Sequence, residues 1–219
     1  MDHPEFANEE FYHVYNHGVE GRDLFSDPYD LNRFIECMKE FNSVEPIGSL
    51  QLVRRERDES ASFNSQQKKP LVAIVSYCLN TNHYHFILEQ LVDSGISEFM
   101  KRVNGGYSWY FNKKYKRRGT LFEGKYKAKH ISTNEYLLHL SAYVNLNYKI
   151  HHLSKNALYC SSLEEYIKPE SIASPLCKRE IISAQFKNPK EYETFAIESA
   201  QSTIENREID ETLEALLME

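Results

Sequence analysis

Residues 82–89 read Asn82-His83-Tyr84-His85-Phe86-Ile87-Leu88-Glu89. In a strand, side chains alternate with period two, so His83 and His85 project from one face and Tyr84, Phe86 and Leu88 from the other. The apolar trio suits packing under helices, which assigns the core to that side. The two imidazoles then stand beside each other on a face a ligand can reach. Imidazole is the commonest side-chain metal ligand near neutral pH, so the pair suggests a metal. Taken alone, it is more simply read as two polar residues on a solvated strand face.

Outward from this stretch, residues 71–79 are almost all apolar, as in a strand covered on both faces. Asn80-Thr81-Asn82 is turn chemistry, so the two strands form an antiparallel hairpin. Residues 11–16 alternate and are rich in aromatic and β-branched types, giving a first strand. Ser26-Asp27-Pro28 marks a helix start, and Leu31, Phe34, Ile35, Met38 and Phe41 keep the helical period after it. A short strand is expected near residues 50–53, then an exposed polar loop over 53–69. Asp93 or Ser94 can cap a second helix holding Ile96, Phe99, Met100, Val103, Tyr107, Tyr110 and Phe111, with Gly105-Gly106 weakening or bending it. Residues 125–131 alternate as a strand, and Ser132 or Thr133 can cap a third helix from Glu135 to about Asn147. The order predicts an α+β fold, an antiparallel sheet of ferredoxin or RNA-recognition-motif type with helices packed on it. The domain is expected over 1–153. Residues 154–219, broken at Pro169, Pro175 and Pro189, are expected to form a helical C-terminal accessory region.

The chain of 219 residues carries a net charge of -6, unevenly spread. Between residues 101 and 130 there are ten Lys or Arg against one acid, Glu123, a balance of +9. Between 189 and 219 there are nine acids against Lys190 and Arg207, a balance of -7. The basic segment, with interleaved aromatics, is a candidate nucleic-acid face despite the acidic total. Its contact candidates are Lys113, Lys114, Lys116, Arg117, Arg118, Lys125 and Lys127, with Trp109 and Tyr115 for stacking on unpaired bases. Tyr107, Tyr110 and Phe111 read as the buried side of the second helix. Cys37, Cys78, Cys160 and Cys177 are far apart and lack a Cys-x-x-Cys pair, so neither a zinc ribbon nor a disulfide framework is indicated. No apolar run approaches the roughly 20 residues that cross a bilayer, and the N-terminus lacks signal-peptide form. A cytoplasmic protein with no membrane partner is expected.

The third helix carries Tyr136, His139, Tyr143 and Asn147 on one stripe at 100° per residue. Laid across the sheet, that stripe would bring a phenol and an amide oxygen to the two imidazoles. His139, one turn before Tyr143, is placed to assist proton transfer or simply to pack. His151 and His152 read as solvated residues.

These segments together resemble the single-tyrosine HUH transposases of bacterial insertion sequences and their REP-associated relatives. The likeness rests on Tyr12-His13-Val14-Tyr15-Asn16-His17-Gly18, on 77–85 with its His-hydrophobe-His motif, and on 110–114. It continues through Gly119-Thr120-Leu121-Phe122-Glu123-Gly124-Lys125 to Tyr136-Leu137 and 142–147. By position the resemblance implies Tyr143 as nucleophile and His83, His85 and Asn147 as ligands of Mg²⁺ or Mn²⁺, with Mn²⁺ the better match to imidazole. It departs from the family at Tyr84, commonly aliphatic, at Tyr148, commonly Pro, and at Lys125 and His17, commonly Arg.

The implied activity is metal-dependent endonuclease and strand transfer on single-stranded DNA, at hairpin-bearing ends, through a 5′-phosphotyrosine intermediate. A phenol titrates near about 10 and needs help to act as a nucleophile at neutral pH. The covalent link retains the bond energy for joining a new strand. The chain would act as a monomer or homodimer. The alternative is a domesticated, non-cleaving single-stranded nucleic-acid-binding protein of the same fold, suggested by the acidic C-terminal segment.

Overall fold

The computed structural model describes residues 4–59, 68–150 and 157–217. Five strands, β1 (Phe11–His17), β2 (Val72–Asn80), β3 (His83–Gln90), β4 (Lys127–Ile131) and β5 (Tyr159–Ser161), form one sheet in the order β4-β1-β3-β2-β5, every pairing antiparallel. Helices α1 (Pro28–Glu40) and α3 (Gly95–Lys114) each join two strands that have a third strand between them. The first four strands and these two helices make the ferredoxin-like arrangement that the residue order predicts.

Helix α1 starts where expected. The Asp27 carboxylate accepts from Asp30 N at 3.0 Å, and Pro28 occupies the first turn. Leu31, Phe34 and Met38 face inward and meet Phe86, Tyr84, Phe99 and Tyr107 in one hydrophobic cluster. Phe34 is fully buried, and replacing it with Ala would cost about 3–5 kcal/mol. Helix α3 runs unbroken through Gly105-Gly106. A side chain at Gly106 would collide with the Phe41 ring, a Cβ lying 2.5 Å from its Cε2. The glycine therefore lets α1 and α3 approach; it does not bend the helix.

The other sheet face is not solvated, contrary to the expectation from alternation. Val75, Cys78 and Ile87 on that face form a second hydrophobic cluster with α4 (Asn134–Asn145), α5 (Asn147–Ile150), α6 (Leu163–Ile167) and α8 (Pro189–Leu217). His83 and His85, on the same face, are only 6 % exposed. A chain of this length has helices enough to cover both faces. The C-terminal segment is thus part of the same packing unit. It supplies β5 to the sheet and, through Tyr192, Ala196 and Ala200 of α8, much of the second core.

Two further local differences follow from chain energetics. The strand expected near 50–53 is the start of helix α2 (Leu50–Glu59), which extends into the segment read as loop. Residues 60–67 of that loop lie outside the described residues, as do His151 and His152. Arg54 donates to both Glu36 carboxylate oxygens, at 2.7 and 2.6 Å, which ties α2 to α1. A remaining short helix, α7 (Glu180–Ser183), buries Ile182. No helix among the described residues is long and apolar enough to cross a membrane.

Candidate active site

The turn Thr81-Asn82 closes the β2–β3 hairpin and sets its register. Asn80 stands opposite His83 and Cys78 opposite His85. On the other side of β3, Tyr15 pairs with His85 and His17 with His83. Directly paired antiparallel residues share a face, so His13, Tyr15 and His17 join the two histidines of β3. The His13 and His85 rings stack with centroids 5.1 Å apart, and Nε2 of His13 lies 2.9 Å from Nδ1 of His85. The His17 and His83 rings stack likewise at 5.1 Å. Burial first, with Lys129 nearby, pushes His13 down to about 4, so its imidazole is neutral at neutral pH. His17 is lowered too, by burial and by Lys127, with Glu123 opposing.

Helix α4 brings the phenol. Thr133 caps it by accepting from Tyr136 N at 3.1 Å, and Leu137, Leu140 and Val144 bury its inner side. Tyr143 is half-buried, its ring edge-on to His85 at 5.7 Å and 89° and to His13 at 6.3 Å. The helix ends two residues before Asn147, because Leu146 leaves helical geometry, and Asn147 opens α5 instead. Asn147 still reaches the site: its Oδ1 lies 3.1 Å from His83 Nε2 and accepts from Asn80 Nδ2 at 2.6 Å. Its Nδ2 is buried and, among the described residues, has no hydrogen-bond partner. The side chain is therefore held by its oxygen alone.

A cavity of about 680 Å³ opens beside these groups, lined among others by His85, Tyr143, His13, His139, Lys129 and Ser199. His83 and Asn147 do not line it; they lie buried next to it. His139 shares a hydrogen bond with Ser199 of α8, Nδ1 to Oγ 2.9 Å. The four residues singled out from the sequence thus fall into two contacting pairs, Tyr143 with His85 and Asn147 with His83. The two histidine rings are 5.3 Å apart.

Two imidazoles and an amide oxygen suit a divalent cation of intermediate hardness. The approach of two acceptors, Asn147 Oδ1 and His83 Nε2, to 3.1 Å fits such an ion. Among the described residues no three His, Cys, Asp or Glu side chains cluster as a metal site, and the candidate set contains only two such residues, both His.

The basic candidates divide. Lys127, on β4 opposite Tyr15, borders the site, and so does Lys129. Trp109, Lys113, Lys114 and Tyr115 belong to α3 or its end, which packs on the opposite sheet face. Trp109 is 56 % exposed with the Lys113 ammonium 4.9 Å from its ring centre. Lys114 is bound to Asp27 at 2.6 Å and to fully buried Asp30 at 2.7 Å, and Tyr115 donates to Asp30 at 2.8 Å. These two therefore hold α3 to the start of α1. Arg117 donates to Asn112 Oδ1 at 3.2 Å and lies 5.7 Å from the Phe111 ring centre. Lys116, Arg118 and Lys125 are exposed. The sequence reading missed His13, Tyr15, His17, Asn80 and Lys129 as site residues. The odd-numbered parity 13, 15, 17 in the first strand was the signal for three of them.

The ferredoxin-like sheet thus presents a His-x-His pair to a helix-borne tyrosine. The family model described as Transposase IS200 like matches residues 54–147, a span holding His83, His85, Tyr143 and Asn147. Over that span the chain is similar to the IS200-like transposases. Among solved structures, a REP-associated tyrosine transposase bound to a REP hairpin is similar at 10% identity and TM-score 0.48, covering 71% of this chain and 76% of that one. The tRNA(His) guanylyltransferase of Saccharomyces cerevisiae is similar at 10% identity and TM-score 0.38, covering 93% of this chain and 80% of that one. No curated protein matches the chain.

Proposed function

We propose that this protein is a metal-dependent endonuclease and strand transferase acting on single-stranded DNA, at hairpin-bearing ends, with Tyr143 as nucleophile. The observation that supports it best is the Tyr143 ring set edge-on to His85 at 5.7 Å, at the rim of a cavity large enough for a nucleotide. His83, His85 and Asn147 would hold Mg²⁺ or Mn²⁺, which when bound polarises the scissile phosphodiester as a Lewis acid.

The chain's own residues would do the rest. The Tyr143 oxygen forms a bond to phosphorus while the bond from phosphorus to the 3′ oxygen breaks. The phenol proton passes to His139, which lines the same cavity, and from there the 3′ oxygen regains a proton. The products are a 5′-phosphotyrosine and a free 3′-OH. Attack by another 3′-OH reverses the chemistry and joins a new strand without a nucleotide cofactor. Lys127 and Lys129 would neutralise phosphates beside the cavity.

The test is incubation with a hairpin-tailed single-stranded oligonucleotide labelled at either end. With Mn²⁺, one labelled fragment should remain attached to protein and the other should carry a free 3′-OH. Binding without any cleavage, in either strand and with either metal, would overturn this function and favour a non-cleaving binder.

A further inference from the structure

Asn80 ends β2 directly opposite His83, so the two side chains share a face. Its Nδ2 is 2.8 Å from His83 Nε2 and 2.6 Å from Asn147 Oδ1, atoms that are 3.1 Å from each other. The Oδ1 of Asn82, an acceptor, lies 2.7 Å from His83 Nδ1. That contact requires the proton on Nδ1, and a neutral ring then offers a lone pair at Nε2. Two acceptors therefore converge on one NH₂ group. A cation taken up by both competes with that group for the same place.

Asn80 is fully buried, so it cannot swing into water to make room. An NH₂ group beside a dication is repelled, whereas the carbonyl end of the same amide is attracted. On its far side, Asn80 Oδ1 meets the Cys78 sulfur at 3.4 Å. A thiol is both a weak donor and a weak acceptor, so it accommodates either end of an amide.

We propose that Asn80 is a further ligand for a divalent cation at this site. In the ion-free protein its NH₂ bridges His83 and Asn147. When Mg²⁺ or Mn²⁺ enters, the amide turns about its Cβ–Cγ bond and offers Oδ1, a hard oxygen donor of the kind these ions prefer. The inference rests on reading His83, His85 and Asn147 as the cation's other donors. It adds a residue whose NH₂ holds the acceptors in register until the ion arrives.

The experiment is a Mn²⁺ titration of the full chain without DNA, followed by the electron paramagnetic resonance of free Mn²⁺, for wild type and the variants Asn80→Asp, Asn80→Leu and His83→Ala. Circular dichroism checks that each is folded. Wild type should bind and His83→Ala should not. Asn80→Asp, the same shape with only acceptors and a negative charge, should bind about tenfold tighter or more. Asn80→Leu should bind about tenfold weaker or more. Leu binding as tightly as Asn, or Asp failing to tighten it, would overturn the role of Asn80 while leaving His83 in place. If Asn80→Leu does not fold, the Asp variant decides alone. Wild type that takes up no Mn²⁺ would overturn both this proposal and the cation reading beneath it.

Discussion

Nε2 of His13 and Nδ1 of His85 are 2.9 Å apart in a buried, stacked pair, with only one proton needed between them. His13 is neutral at neutral pH, so it can accept that proton's hydrogen bond from His85 Nδ1. Nε2 of His85 is then the atom that carries a lone pair. Outer partners of this kind fix the tautomer and orientation of a ligating imidazole. His13→Leu should weaken Mn²⁺ affinity by about 10–100-fold. His13→Gln, whose amide oxygen accepts the same bond, should recover part of it. Equal Mn²⁺ titrations for the Leu variant and wild type would show that His85 needs no such orientation.

Lys114 should matter for stability and little for DNA. Lys114→Met leaves the buried Asp30 carboxylate with hydrogen bonds from Ser26 N, Tyr110 and Tyr115 but no cation. Breaking a buried pair costs about 3–5 kcal/mol, and because the Lys114 side chain is 28 % exposed we expect about 2 kcal/mol in urea unfolding. Asp27 gives the pH dependence. Its carboxyl is held below its usual range, chiefly by the hydrogen bond from Lys114, with burial opposing. A carboxyl with a depressed folded pKa binds fewer protons folded than unfolded. Its contribution is complete above the ordinary carboxylate range and is lost as pH falls through the folded value. Thermal melts of Lys114→Met should therefore lose less stability on acidification below about pH 4 than wild type does. A parallel acid limb would contradict this.

The lysines beside the cavity should do the opposite. Lys127→Ala and Lys129→Ala together should weaken single-stranded DNA binding and reduce the salt slope, log K against log[salt], by about 1.4, two contacts at about 0.7 each. Unfolding should be unchanged, since both side chains are exposed. An unaltered slope would move the DNA path to the far face, where exposed Trp109 and Lys113 lie.

Tyr192 tests whether α8 is integral to the domain. Its hydroxyl accepts from Asn145 Nδ2 at 2.7 Å and lies 3.2 Å from Ser141 Oγ, both on α4, and the residue is 1 % exposed. Tyr192→Phe leaves two buried polar groups short of a partner and should cost about 2 kcal/mol. Because α4 carries Tyr143, cleavage should fall in the same variant. Stability within about 0.5 kcal/mol of wild type would mean that α8 is a loosely held appendage.

Apart from residues 50–59, the strand–helix order of the first 150 residues was legible because its periods are clean: alternation in 11–16 and 82–89, and helical spacing after Asp27 and Thr133. What alternation could not show is the cover on the histidine face. Ile87, Val75 and Cys78 face the same side as His83 and His85, yet what packs on them lies more than 40 residues later, in α4 through α8. The 50–59 segment was misread because its short apolar start, Leu50 and Val53, is too brief to separate strand from helix by period. Net charge was a poor guide to individual lysines. Lys114 lies in the most basic stretch of the chain, but Asp27 and Asp30, more than 80 residues earlier in sequence, neutralise it. Of the candidate site, Tyr143, His83, His85 and Asn147 were visible as residue types at known spacing. Asn80 was seen only as turn chemistry, since its role depends on hydrogen-bond distances.

The most direct measurement is peptide mapping of the covalent DNA–protein species formed with a hairpin-tailed single-stranded oligonucleotide and Mn²⁺. A nucleotide adduct is expected on the peptide bearing Tyr143, joined through a 5′ phosphate, with no adduct in Tyr143→Phe. An adduct that persists in Tyr143→Phe, or that maps to another residue, would contradict it.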